Sequence, residues 1–206
     1  MKHFQHINEL HWLDTESASY NIETDCFQED LIHCEKFGNR RKKEFLTGRA
    51  LVYQLMQECS QPKKHIKIGS KREPLFNSPF IASISHTKGY VIACANNQDI
   101  PIGIDAEHIN RVTENLYPKL FSNNEIELIT SLNLNADILF SAKEAFYKMQ
   151  YPISKSYLDF LDIELIWEND YFLVKYIKQD VHKVKNTKIY FELFDGKVLS
   201  LSILKT

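Results

Sequence analysis

Residues Pro101-Ile102-Gly103-Ile104-Asp105-Ala106-Glu107 alternate apolar and acidic side chains toward their end, the period of a β-strand whose two faces differ. Ile102, Ile104 and Ala106 fall on one face and Asp105 and Glu107 on the other, so two carboxylates share one side. Downstream, Phe140-Ser141-Ala142-Lys143-Glu144-Ala145-Phe146-Tyr147-Lys148 follows a helical period instead. On a wheel of about 100° per residue, Leu139, Ala142, Phe146 and Met149 form a buried stripe. Glu144 and Lys148 lie together on the opposite face, and Lys143 sits to one side.

The elements around this core extend the pattern in both directions. Helices are expected at about 116–121, 124–132 and 135–150, the last capped by Asn135 and ended by Pro152. Beyond it, residues 160–167, 171–177, 188–194 and 198–203 broadly alternate apolar and polar, with Glu168-Asn169-Asp170 and Asp195-Gly196 as turns. They predict a C-terminal antiparallel sheet. Upstream, residues 40–57 read as a helix and Gly69 and Pro74 punctuate the stretch after it, while residues 81–84 and 90–96 read as strands joined through His86-Thr87-Lys88-Gly89. The class is α+β.

Composition agrees with an ordinary folded chain. Its 206 residues are 44% hydrophobic and 25% charged, with 6 Gly and 6 Pro, which excludes low-complexity and collagen-like readings. A net charge of -2 disfavours a general nucleic-acid binder. Cys26, Cys34, Cys59 and Cys94 are scattered and show neither metal-ligand spacing nor a disulfide framework, which fits a reducing cytoplasm. The N-terminal residues lack the apolar core of a signal peptide, and no stretch approaches the roughly 20 apolar residues that cross a bilayer. His3, His6 and His11 are too loosely spaced to predict a metal site.

Charge is nevertheless partitioned along the chain. From Arg40 to Arg72 there are ten basic residues against Glu44 and Glu58, whereas from Asp105 to Asp170 twelve acids face five bases. Two solvated faces would account for this, as would an anionic ligand on the first segment and a metal or basic partner on the second. Asp105, Glu107 and Glu144 together with a nearby lysine are the equipment for Mg²⁺-assisted attack at a phosphoryl group. Hard divalent cations prefer carboxylate oxygens and substrate phosphates, lysine offsets charge, and a carboxylate can take a proton.

Ordered along the chain, these motifs resemble the 4′-phosphopantetheinyl transferases of the Sfp type. The hallmark of that family is a Gly-Ile-Asp-x-Glu strand, here Gly103 to Glu107, followed by a Lys-Glu-x-x-x-Lys helix, here Lys143 to Lys148. Further matches are Arg41 and Arg49 flanking Glu44-Phe45-Leu46-Thr47-Gly48, then Lys71-Arg72-Glu73-Pro74, Ser83-Ile84-Ser85-His86 and Phe121-Ser122-x-x-Glu125. They run from about residue 40 to 150, and together they look closest to the subgroup serving siderophore synthetases. Any one alone would be weak. Ala106 stands where Ile is commoner and keeps that face apolar.

The resemblance implies two similar α/β lobes related by a pseudo-two-fold axis, expected at residues 1–100 (coenzyme A nucleotide contacts) and 101–206 (metal site and catalytic helix). It implies a cytoplasmic, monomeric holo-[acyl-carrier-protein] synthase. Such an enzyme moves 4′-phosphopantetheine from coenzyme A to a serine of an apo acyl or peptidyl carrier protein and releases adenosine 3′,5′-bisphosphate. Carried over by position, Asp105, Glu107 and Glu144 would hold Mg²⁺ or Mn²⁺. Glu144 would also be the general base, and Lys148 would neutralise charge on the attacked phosphate. Arg41, Arg49, Lys71, Ser85, His86 and Lys143 would bind coenzyme A, with Arg49 at its 3′-phosphate and Lys143 at phosphate as well. Neither nucleic acid nor membrane is expected as partner. The competing readings are another metal-dependent phosphoryl-transfer enzyme, such as a nuclease, and a non-catalytic module that binds coenzyme A or a carrier.

Overall fold

Ten apolar or small side chains fall within residues 45–56, and they make α3 (Asn39–Glu58) the spine of the first of two units, Met1–Ile100 and Pro101–Thr206. The structure is a computed structural model and describes residues 4, 7, 10–177, 184 and 187–204. His3 and His6 lie outside the described residues. In the first unit α3 packs on an antiparallel sheet of order β1 (His11–Asp14), β5 (Tyr90–Asn96), β4 (Ile81–Thr87). Leu51, Val52 and Leu55 are buried with Val91, Ala93 and Ala95 of β5. Gly48 lets the helix come close: a Cβ there would stand 2.8 Å from Ile84 Cγ2.

The hairpin between β4 and β5 is tighter than expected. Pairing continues to Thr87 opposite Tyr90, so His86 belongs to β4 and the turn is Lys88-Gly89 alone, with Gly89 at φ +79°. Two short helices, α1 (Ile22–Asp25) and α2 (Gln28–His33), precede α3 where the sequence offers no strong period. Two-residue strands β2 (Lys67–Ile68) and β3 (Pro74–Leu75) flank the Lys71-Arg72-Glu73 turn. There Glu73 accepts the Lys71 backbone N–H at 2.9 Å.

The second unit is built on a five-stranded antiparallel sheet. Its order is β6 (Ile102–His108), β10 (Lys197–Leu204), β9 (Thr187–Phe194), β8 (Tyr171–Ile177), β7 (Ile163–Glu168). A 3₁₀ turn (Glu114–Leu116), α4 (Tyr117–Leu120) and α5 (Asn123–Ser131) lead into α6 (Ala136–Ser154). The predicted stripe of Leu139, Ala142, Phe146 and Met149 is buried with Phe172, Ile189 and Val198. Asn135 caps α6 by accepting the Asp137 N–H at 2.9 Å. Each unit thus sets a long helix against an antiparallel sheet, the α+β class expected.

Two boundaries differ. Pro152 does not end α6, which runs through it to Ser154 and closes with the Lys155 N–H on Tyr151 O and Lys155 in the left-handed region. Residues 160–162 form a 3₁₀ turn capped by Asp159, so β7 begins only at Ile163. Among the described residues no helix is long and apolar enough to cross a membrane.

Candidate active site in the second unit

Gly103 determines how β6 and α6 meet. A Cβ there would lie 2.0 Å from the Ala145 carbonyl oxygen and 2.6 Å from Met149 N, so the helix backbone rests directly on the strand. Because strand faces repeat every second residue, the face that carries Gly103 toward α6 also carries Asp105 and Glu107. β6 thus runs along the edge of the apolar stripe at Ala145 and Met149, and Glu144 and Lys148 on the other side of α6 are half-buried. Lys148 crosses to the strand, and its Nζ donates to Asp105 Oδ1 at 2.7 Å. One turn earlier on the same face, Glu144 is half-buried.

The carboxylates crowd one another. Burial pushes the Glu144 carboxyl above the ordinary range, and Asp105 and Glu107 push it further, while Lys148 pulls it back. Burial also raises Glu107, with Asp105 adding to the effect and Arg111 opposing it. Arg111, which sequence reading passed over, forms an i,i+4 ion pair with Glu107. The segment that carries it is pinned by Asp137, whose carboxylate accepts the backbone N–H groups of Asn110, Arg111 and Val112 at 2.6, 3.1 and 2.8 Å.

This donor set suits a hard divalent cation. Burial and the neighbouring carboxylates raise the proton affinity of Glu107 and Glu144, and a cation held by these oxygens and those of Asp105 relieves that repulsion. As they stand, Asp105 is held by Lys148 and Glu107 by Arg111. Among the described residues no three His, Cys, Asp or Glu groups are yet gathered closely enough to enclose a metal ion. The chemistry of the donor set fits such an ion.

Lys143 is placed otherwise than expected. It is 1% exposed, and its Nζ donates to Glu125 Oε2 at 2.7 Å and to the carbonyls of Leu120, Phe160 and Ile163 at 2.8–2.9 Å. Glu125 in turn accepts the N–H groups of Ser122 and Leu165. An ammonium so enclosed is a tie between α4, α5, α6 and β7, not a phosphate contact. Burial lowers the Lys143 pKa and raises that of Glu125, and each partner offsets the other's shift. Around this tie lies a pocket of about 140 Å³, bordered by Glu144, Tyr147, Tyr157, Leu158 and Phe160. It depends on the turn at residues 160–162, so the strand predicted there concealed it.

In the first unit Arg41 and His86 do come together. The Arg41 guanidinium meets His86 Nε2, and Glu44 Oε2 lies 3.5 Å from His86 Nδ1. Lys71 is exposed on its turn, and Ser85 is buried on β4. Arg49 departs from expectation. Its side chain is 4% exposed, with Nε 3.6 Å from Asp30 Oδ1 and the guanidinium over the Phe45 ring. Tyr53 donates to the same carboxylate at 2.6 Å. The helical position that sequence aligns with a nucleotide contact points inward, because one turn of α3 faces the sheet and Asp30 of α2.

Comparison with known proteins bears on both units. Residues 27–96 match the family model described as the 4′-phosphopantetheinyl transferase N-terminal domain, and residues 101–192 the one described as the 4′-phosphopantetheinyl transferase superfamily. The chain is 29% identical to 4′-phosphopantetheinyl transferase PptT of Mycobacterium tuberculosis, over 64% of this chain and 60% of that protein. It is 26% identical to enterobactin synthase component D of Salmonella typhi, over 68% of this chain and 61% of that protein. With 4′-phosphopantetheinyl transferase Svp of Streptomyces mobaraensis the identity is 27%, over 77% and 70%. The first two of these relatives are thus matched over about three fifths of their length. Two successive matches to one family, in order and together spanning most of the sequence, mean that this chain belongs to the 4′-phosphopantetheinyl transferase superfamily.

Proposed function

We propose that this chain transfers 4′-phosphopantetheine from coenzyme A to a serine hydroxyl of an apo acyl or peptidyl carrier protein and releases adenosine 3′,5′-bisphosphate. The observation that carries the reading is the juxtaposition of Asp105 and Glu107 on β6 with Glu144 and Lys148 on α6, with the Lys148 to Asp105 bond at 2.7 Å. When bound by Asp105, Glu107 and Glu144, Mg²⁺ or Mn²⁺ supplies charge compensation at the pyrophosphate. The Glu144 carboxylate takes the proton from the serine Oγ, and its raised proton affinity suits a base. As the new Oγ–P bond forms, the anhydride P–O bond breaks and the leaving phosphate departs with adenosine 3′-phosphate. Lys148 Nζ offsets the charge that gathers on the phosphate under attack.

In this reading residues 1–100 contribute the nucleotide contacts, through Arg41, Lys71, Ser85 and His86, and residues 101–206 the metal site and the catalytic helix. Arg49 and Lys143 are assigned to the interior of their units instead. The carrier is a siderophore-synthetase, polyketide or fatty-acid type protein, and the enzyme acts as a cytoplasmic monomer. Intact mass of several apo carriers after incubation with this protein, coenzyme A and Mg²⁺, with an EDTA control, tests the proposal. A gain of one phosphopantetheine that EDTA abolishes is the expected result. No gain on any carrier while coenzyme A still binds would favour a non-catalytic binding module.

A further inference from the structure

Glu44 is the only acid among residues 40–49, where it follows Arg40, Arg41, Lys42 and Lys43. A carboxylate serving solubility would point outward, yet its side chain is 12% exposed while those of Arg40 and Arg41 are 80% and 52% exposed. Its oxygens lie 3.6 Å from Arg40 Nε, 4.0 Å from Arg41 Nη1 and 3.5 Å from His86 Nδ1. These separations exceed those of charge-assisted hydrogen bonds, roughly 2.7–2.9 Å, so Glu44 steers its neighbours by charge without clamping them. One carboxylate against two guanidiniums and an imidazole leaves the cluster positive whatever the state of His86.

The contact between Arg41 and His86 defines the tautomer. A guanidinium has donors only, so its approach to Nε2 is favourable when that nitrogen carries the lone pair and the ring proton sits on Nδ1. Nδ1 is the nitrogen that faces Glu44. With Nδ1 facing Glu44, Nε2 and the Arg41 guanidinium share one side; an oxyanion that takes over the guanidinium meets a point donor at Nε2 once that nitrogen gains a second ring proton, a state the Glu44 charge favours.

Resting on the proposed function, we propose that Glu44 is a positioning residue for recognition of the 3′-phosphate of coenzyme A, acting through Arg41 and His86. The test is calorimetric titration of coenzyme A and 3′-dephospho-coenzyme A, which requires no turnover. The unaltered protein prefers coenzyme A, and Glu44→Gln lowers that preference by roughly tenfold, the scale of one hydrogen bond to a charged group. Glu44→Asp, which keeps the charge but withdraws it from His86, gives a smaller loss and serves where Glu44→Gln does not fold. Proportional weakening of both ligands, an unchanged ratio, or failure of both variants to fold would each overturn the proposal by making Glu44 structural or idle. Arg41→Ala separates the levels. If it lowers the preference while both Glu44 variants do not, only the role of Glu44 falls. If the unaltered protein shows no preference, the nucleotide reading of this cluster falls and takes the proposal with it.

Discussion

Lys143 and Lys148 stand five residues apart on one helix, yet the fold gives them opposite tasks. Lys148 is 28% exposed and reaches a carboxylate of β6, whereas Lys143 is 1% exposed and ties four segments through Glu125 and three carbonyls. Lys143→Met leaves Glu125 buried without its counter-charge, which is expected to cost about 3–5 kcal/mol in urea denaturation. Lys143→Met combined with Glu125→Leu should recover most of that loss, because apolar replacement of a whole buried pair is often neutral. A single variant as stable as the parent would show that the pair contributes nothing. Glu144→Gln tests the proposed general base. It should bind coenzyme A nearly as the parent does while turnover falls by about 10²–10⁴, the worth of a general base. Unchanged turnover would remove Glu144 from that role.

At the scale of elements, what places the site is the closeness of β6 and α6. Gly103→Ala puts a methyl group where the Ala145 carbonyl already lies, and neither atom is the end of a flexible side chain. The helix must shift, at an expected cost of about 1–3 kcal/mol in thermal unfolding. Metal-dependent turnover should fall further than stability does, because the shift moves Glu144 and Lys148 away from Asp105. Full activity together with reduced stability would mean that the carboxylates do not require this spacing. The motif glycine was visible in the sequence, but its reason was not, since periodicity assigns it only to the face shared with Asp105 and Glu107. Likewise the apolar stripe of α6 and its Asn135 cap could be read directly, whereas the passage of the helix through Pro152 depends on how its last turn closes at Lys155.

At the scale of the whole molecule, β10 is the strand that completes the second unit. It pairs with β6 on one side and β9 on the other, Ser200 lying opposite both Asp105 and Phe191. Deletion of residues 197–204 strips β6 of its only sheet neighbour among the described strands. We expect the deleted protein to lose cooperative unfolding of residues 101–196 by hydrogen exchange, with residues 10–96 keeping their protection. Retained protection in β6 would show that α6 alone holds it. The family matches extend from residue 27 to 192, beyond the motifs at about 40 to 150.

Sequence alone was sufficient for the α+β class, for the long helices and the C-terminal meander, and for the family. Those depend on the repeat of apolar residues at 2.0 or 3.6 and on the order of Gly103 to Glu107 and Lys143 to Lys148, which are properties of the chain itself. Only the tertiary structure decided that Arg49 and Lys143 turn inward, that Arg111 meets Glu107, and that Glu44 faces His86. The direction of a charged side chain near the edge of a helical stripe is set by which carboxylate or carbonyl the neighbouring element brings within reach. For Arg49 and Lys143 that partner, Asp30 and Glu125 respectively, lies 18 or more residues away in the chain and beyond the reach of any local period.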